Sequence, residues 1–225
     1  MVLNRFDPLT YRPPVLQPEP EARGAVQRQP EKPATSKAFT VKGDRDSQAR
    51  AKVGLIRSKV IGPALGAGPR GLAFTRGLLA QALNKAPREV NGHASGKPKE
   101  ALWIFEWVRN RLRYVNDPSR EELFQQLPEL FQTGIGDCDD FTAALAAMLM
   151  AAGFKVQARL IELKPGKGWA HIYPMVWIPQ HFRKPPQGST AAPVRVAARW
   201  VPLDATENKP AGWEAKHVRH MDLEF

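Results

Sequence analysis

Three side chains in this chain have the types and the order that nucleophilic catalysis requires. Cys138, the only cysteine among 225 residues, lies in "GDCDDFTAAL". His171 follows in "GWAHIY" roughly 33 residues on, and Asp204 in "RWVPLDAT" roughly 33 further. A thiol nucleophile, an imidazole base and a carboxylate that orients the imidazole are the three parts of such a site. Each also has a plainer use: a Cys at a helix start can be structural, a strand His can be a satisfied core residue, and an Asp at a strand end can form a turn. The order Cys, His, Asp on successive elements is the more specific signal.

The surroundings of Cys138 raise a difficulty, because Asp137, Asp139 and Asp140 flank it and carboxylates oppose ionisation of a thiol. Asp137 stands where a helix N-cap belongs, which puts Cys138 in the first helical turn. Asp137 and Asp140 resemble a capping box with acids in both roles. The helix start favours negative charge on the sulfur and the carboxylates disfavour it, so a positive partner is needed, for which His171 is the natural candidate.

These residues need elements to hold them. Helical spacing of apolar residues predicts helices over 47–65, 69–84 and 99–115, the last carrying Leu102, Ile104, Phe105, Val108 and Leu112 on one face. Segment 116–136 reads as a loop with one or two short helical turns. Helix resumes at Asp137 and ends at Gly153. "KVQARLIEL", "AHIYPMVWI" and "ARWVPLDAT" then read as three strands, mostly antiparallel. Helices followed by sheet predict an α+β domain with the Cys138 helix packed on the sheet. If the second and third strands are neighbours, His171 and Asp204 face each other. Pro174 and Pro202 predict that both strands are edges, or bulged, at those points.

The domain is expected over 47–225, preceded by an extended Pro-rich arm over 1–46, whose composition offers too little apolar surface to offset ordering entropy. One cysteine excludes an intramolecular disulfide and a multi-thiolate zinc site, and points to a reducing compartment. The net charge of +11 is spread along the chain, and no zinc-finger spacing, RNA-binding box or phosphate-binding glycine loop accompanies it. No specific nucleic-acid binding and no cofactor is expected. "MVLNRFDPLTYRPP" lacks the apolar core of an export signal, and "FTAALAAMLMAAGF" is too short to span a bilayer. His93 reads as a solvated loop residue. His181, His217 and His220 with Asp222 lack a ligand spacing, so no metal is expected.

At "GDCDD", "GWAHIYPMVWI" and "RWVPLDAT", and in the helix "ALWIFEWVRNRLRYVNDP", the sequence resembles the transglutaminase-like superfamily, over about residues 48 to 210. More narrowly it looks like the transglutaminase-like proteins of tailed phages and prophages. The resemblance implies a papain-like core with Cys138 as nucleophile, His171 as base and Asp204 as the acid that holds the His tautomer. It implies acyl transfer from an amide through a thioester, with water as acceptor in a protease or amidase and an amine in a cross-linking enzyme. Backbone N–H groups at the helix start would form the oxyanion hole, with the Trp169 indole as a further donor. By the same resemblance, the setting would be a phage tail or baseplate, made in the bacterial host cytoplasm. The arm and basic surface would dock on other virion proteins, and the substrate would be protein or peptidoglycan.

Two alternatives stand beside this. The fold could serve as a catalytically silent virion component, or the chain could be a papain-like endopeptidase of another type, for which a small residue and Gly would be expected after the Cys in place of "CDD".

Overall fold

The computed structural model of the chain describes residues 43–84, 86, 97–117, 122–183 and 194–225. Most of the expected arm, and the loop carrying His93, lie outside the described residues.

Helix α1 (Arg45–Leu55) starts on Asp44, whose carboxylate accepts the N–H groups of Asp46 and Ser47 at 2.9 and 3.0 Å. The cap therefore lies just before the expected start at Ser47. The helix runs through a π-helical turn at Ile56–Ile61 into α2 (Gly62–Leu65). The sequence pattern predicts one regular helix here. The widened turn instead buries Ile56, Val60 and Ile61 together. Then come α3 (Leu72–Asn84), α4 (Lys97–Arg111), the two-residue β1 (Arg113–Tyr114), α5 (Leu127–Thr133), β2 (Ile135–Gly136) and α6 (Cys138–Ala151).

Helix α6 is the centre of the core. The alanines at 143, 144, 146 and 147 are small enough for neighbours to approach closely, and Leu145, Met148 and Leu149 are fully buried between them. A helix apolar on all sides has to be enclosed. The π turn, α3 and α4 pack against it, as do strands β3 (Val156–Glu162) and β4 (His171–Ile178).

The main sheet has the order β7-β4-β3-β8 with every pairing antiparallel, β7 being Arg199–Pro202 and β8 Arg219–Glu224. Strands β5 (His181–Arg183) and β6 (Val194–Val196) pair separately, and β1 pairs β2 in parallel. The α+β architecture and the adjacency of the His171 and Asp204 strands agree with the sequence. The fourth strand is an addition. β8 is mostly exposed, with Met221 and Leu223 packed on the core, and charge helps hold it: Arg159 of β3 donates to both carboxylate oxygens of Asp222 at 2.7 Å and to Glu214, in the segment before β8, at 2.9 Å.

Pro202 lies on an edge strand as expected, but Pro174 does not, because β4 is interior and Pro174 sits opposite Ala158 of β3. The strand tolerates it for a local reason. Trp177 donates toward β3, to Lys155, so alternate residues including Pro174 and Ile172 turn their hydrogen-bonding groups to the β7 side. There the β4–β7 pairing ends at Met175–Pro202. Pro174 still accepts from Leu203 at 2.9 Å, and only the reverse bond is forfeited, at the end of the ladder.

Candidate active site

The start of α6 is an acid capping box. Asp137 accepts the N–H groups of Asp139 and Asp140 at 3.1 and 3.3 Å, and Asp140 accepts that of Asp137 at 3.4 Å. Asp140 also takes both the backbone N–H of Gln125, at 3.0 Å, and its side-chain amide, at 3.1 Å. These contacts tie the segment before α5 to the helix start. Gly136 is required by space: a Cβ there would lie 2.7 Å from Cβ of Asp140 and 2.9 Å from Cδ1 of Leu130.

Beyond the end of β7, the same helix start occupies the side of β4. The Ile172 N–H lies near enough to the Cys138 sulfur to favour its ionisation, and Thr142 Oγ1 donates to the Ile172 carbonyl at 3.1 Å. Cys138 and Thr142 are one helical turn apart, on one face of α6, and together they face the two backbone groups of Ile172, the residue after His171. The shortened β7 leaves room for the helix, and the helix brings the thiol beside the His171 strand.

His171 Nε2 meets Asp204 Oδ2 at 2.8 Å. The other Asp204 oxygen accepts the backbone N–H of Thr206 at 3.1 Å and its hydroxyl at 2.6 Å, and the Thr206 oxygen lies 3.3 Å from His171 Nε2. An ionised Asp204, only 3% exposed, has no hydrogen to give, so Nε2 carries the proton and Nδ1 remains as the proton acceptor of the ring.

The carboxylates around Cys138 divide their work. Asp137 and Asp140 are spent on the cap. Asp139 is completely buried, with Oδ2 2.8 Å from Lys52 Nζ of α1, which also lies 3.0 Å from Glu122. That Oδ2 makes no well-directed hydrogen bond, so charge holds it. Burial pushes the Asp139 carboxyl upward and Lys52 pulls it down, and the balance lies above the ordinary carboxylate value. Burial works against the Lys52 ammonium, but Asp139, Cys138 and Glu122 outweigh it and raise its pKa, so it stays charged.

The thiol itself is half-buried and points its hydrogen at Asp139 Oδ1, 3.6 Å away. Burial, then the Asp139 and Asp137 carboxylates, push it well above the usual thiol range, while Lys52 and the Ile172 N–H pull it down. At rest the sulfur is a neutral thiol, and attack requires a base to take its proton.

The structure brings His171 and Asp204 into contact and sets Cys138 against the residue after His171. Trp169 is not the oxyanion donor anticipated: its indole N–H goes to the Arg45 carbonyl at 3.0 Å, and the Arg219 guanidinium lies 4.8 Å from its ring centroid. His217 Nε2 and His220 Nδ1 lie 3.3 Å apart, and Asp222 is engaged by Arg159. No group of three or more His, Cys, Asp or Glu is arranged to hold a metal among the described residues. Likewise, none of their helices is long and apolar enough to cross a membrane. Sequence reasoning missed Thr142, Thr206 and Lys52. The i+4 spacing from Cys138 and the Asp-x-Thr turn signal the first two; nothing local signals Lys52.

A model of the transglutaminase-like superfamily matches residues 84–205. The match covers more than half of the chain, which therefore belongs to the transglutaminase-like superfamily and has its papain-like α+β fold. No curated protein matches it significantly. Among solved structures it is similar to a protein of Cytophaga hutchinsonii described as a proposed cysteine protease, at 16% identity and a TM-score of 0.39, over 66% of this chain and 42% of that one. It is also similar to a protein of Parabacteroides distasonis described as a proposed protease, at 14% identity and a TM-score of 0.40, over 57% and 24% of the two chains. The chain thus spans less than half the length of either.

Proposed function

We propose that the protein is a cysteine acyl-transfer enzyme in which Cys138 attacks an amide carbonyl, with His171 as base and Asp204 as its orienting acid. One observation carries this: the His171–Asp204 hydrogen bond at 2.8 Å holds the ring proton on Nε2 and leaves Nδ1 as the acceptor, on the residue next to the one whose N–H lies near the Cys138 sulfur. His171 takes the thiol proton as the sulfur–carbonyl bond forms, then returns it to the departing amine, leaving a thioester. The cap uses the N–H groups of Asp139 and Asp140, so that of Cys138 serves the oxyanion. Water as second acceptor makes the enzyme a protease or amidase, and an amine makes it a cross-linker.

A p-nitrophenyl ester is the direct probe, with intact mass reporting acylation. Cys138 in the native protein is expected to form a thioester stoichiometrically, at least about 100-fold faster than in His171→Ala. Equal rates in the two proteins would remove His171 from the mechanism, and no thioester in either would remove the enzyme reading. The second reading, a silent structural component, is favoured by the neutral thiol that points at Asp139.

For the setting, we propose a tailed-phage tail or baseplate, with the Pro-rich arm and basic surface contacting other particle proteins and with protein or peptidoglycan as substrate. Its support is the resemblance of the "RYVNDP", "GDCDD" and "VPLDAT" layout to phage and prophage proteins, together with the net charge of +11. Peptide mass spectrometry of purified particles is expected to find the chain at a fixed copy number; finding it only in the lysate of infected cells would overturn that setting.

A further inference from the structure

We propose that Lys52 is a positioning residue for the candidate nucleophile, offsetting the buried Asp139 carboxylate and holding its own charge within reach of the Cys138 sulfur. The inference deepens the reading of Cys138 as nucleophile and rests on it. Lys52 belongs to α1, upstream of the 84–205 segment that matches the family.

The geometry is a chain of contacts that ends at the sulfur. Glu122 lies 3.0 Å from Lys52 Nζ, Lys52 lies 2.8 Å from Asp139 Oδ2, and Asp139 Oδ1 lies 3.6 Å from Cys138 Sγ. Asp139 has no solvent exposure and lacks a well-directed hydrogen bond on Oδ2, so Lys52 is its main compensation. Without that ammonium, an uncompensated carboxylate would lie beside the thiol at the moment it must become negative. With it, the pair is neutral and the thiolate gains an attractive charge one carboxylate away.

The other charged groups near the sulfur are few enough to name. Asp137 and Asp139 stand on α6 itself and oppose ionisation. Lys52 on α1 favours it, with Glu122 behind Lys52 drawing off part of that charge. Strand β4 contributes His171, held by Asp204, and the Ile172 N–H. Lys52 is the fixed cation of this set, because an imidazole carries charge only when both ring nitrogens are protonated. The helix that supplies it is anchored at its N-terminal end beside the segment leading to His171: Arg45 accepts from Trp169 and pairs with Glu162, and Asp46 pairs with Arg219.

Cys138 is the only thiol in the chain, so iodoacetamide alkylation followed by intact mass titrates it without ambiguity. Removal of Lys52 in Lys52→Met is expected to move the alkylation midpoint up by about one pH unit or more, and Lys52→Met/Asp139→Asn to bring it back toward that of the native protein. An unmoved midpoint in a folded Lys52→Met protein would overturn the proposal. Should Lys52→Met fail to fold, the decisive comparison is Asp139→Asn against the double variant, since neither leaves Asp139 charged and unpaired. A lower midpoint in Asp139→Asn shows Lys52 acting on the sulfur, and coincident midpoints refute it. These titrations need no substrate, so they fail or succeed separately from the thioester experiment.

Discussion

Asp204→Asn is expected to slow thioester formation on Cys138 by about 10³- to 10⁴-fold while leaving the fold intact. The reason lies in Thr206. Its N–H and hydroxyl both donate to Oδ1 of Asp204, so they will hold the carbonyl oxygen of an Asn in that position. The amide NH₂ is then forced to where Oδ2 now meets His171 Nε2 at 2.8 Å. A donor there makes Nε2 the acceptor and moves the ring proton to Nδ1, the nitrogen that must take the thiol proton. The substitution thus preserves shape and inverts the tautomer. The check is the p-nitrophenyl ester acylation rate beside a thermal melt. A loss below about 10-fold in a protein that melts normally would show that Asp204 does not govern His171.

Asp140→Ala is expected to destabilise the protein by about 3 kcal/mol. Asp140 is buried, at 1% exposure, and accepts from the Gln125 backbone, the Gln125 side chain and the Asp137 backbone. Removing it strands donors in a region closed to water and undoes half of the capping box. The same change releases the segment before α5 from α6, so the damage extends past the helix end. Asp140→Asn, which keeps one acceptor oxygen, is expected to lose less. Urea unfolding of the two variants measures the difference; a cost under about 1 kcal/mol for the alanine variant would mean that the donors find other partners.

These two acids illustrate what can be read from a linear sequence. A capping box depends on residues within one turn of each other, so Asp137 and Asp140 declare their role in "GDCDD", and the structure has the bonds at the expected places. The apolar repeat of α4, the continuous apolar run of α6 and the Val-, Ile- and Trp-rich runs of β3 and β4 are equally local. Helices before sheet followed from them, as did the α+β class. The order Cys138, His171, Asp204 was legible as chemistry because each falls at a recognisable element start or end.

What escaped the sequence depends on groups far apart in the chain. β8 alternates Met221 and Leu223 with polar residues, and Phe225 follows in step, but over one short stretch, and it is held in the sheet partly by the ion pairs of Arg159, a property of β3 rather than of β8. Pro174 looked like an edge residue, because a proline advertises its missing N–H and not the direction in which that N–H would have pointed. In the fold it points to where β7 has stopped, and the start of α6 meets the strand there through Ile172.

The acids around Cys138 show the division most clearly. Their presence and their cost to a thiolate follow from adjacency in the sequence, and so do the helix start and the demand for a positive partner. Which fixed charge stands beside those acids was decided only by packing: α1 lays Lys52 against Asp139, and Asp204 holds His171 by Nε2. Capping and periodicity act over a few residues and are written locally, whereas a buried charge is compensated by whichever side chain the assembled core carries to it.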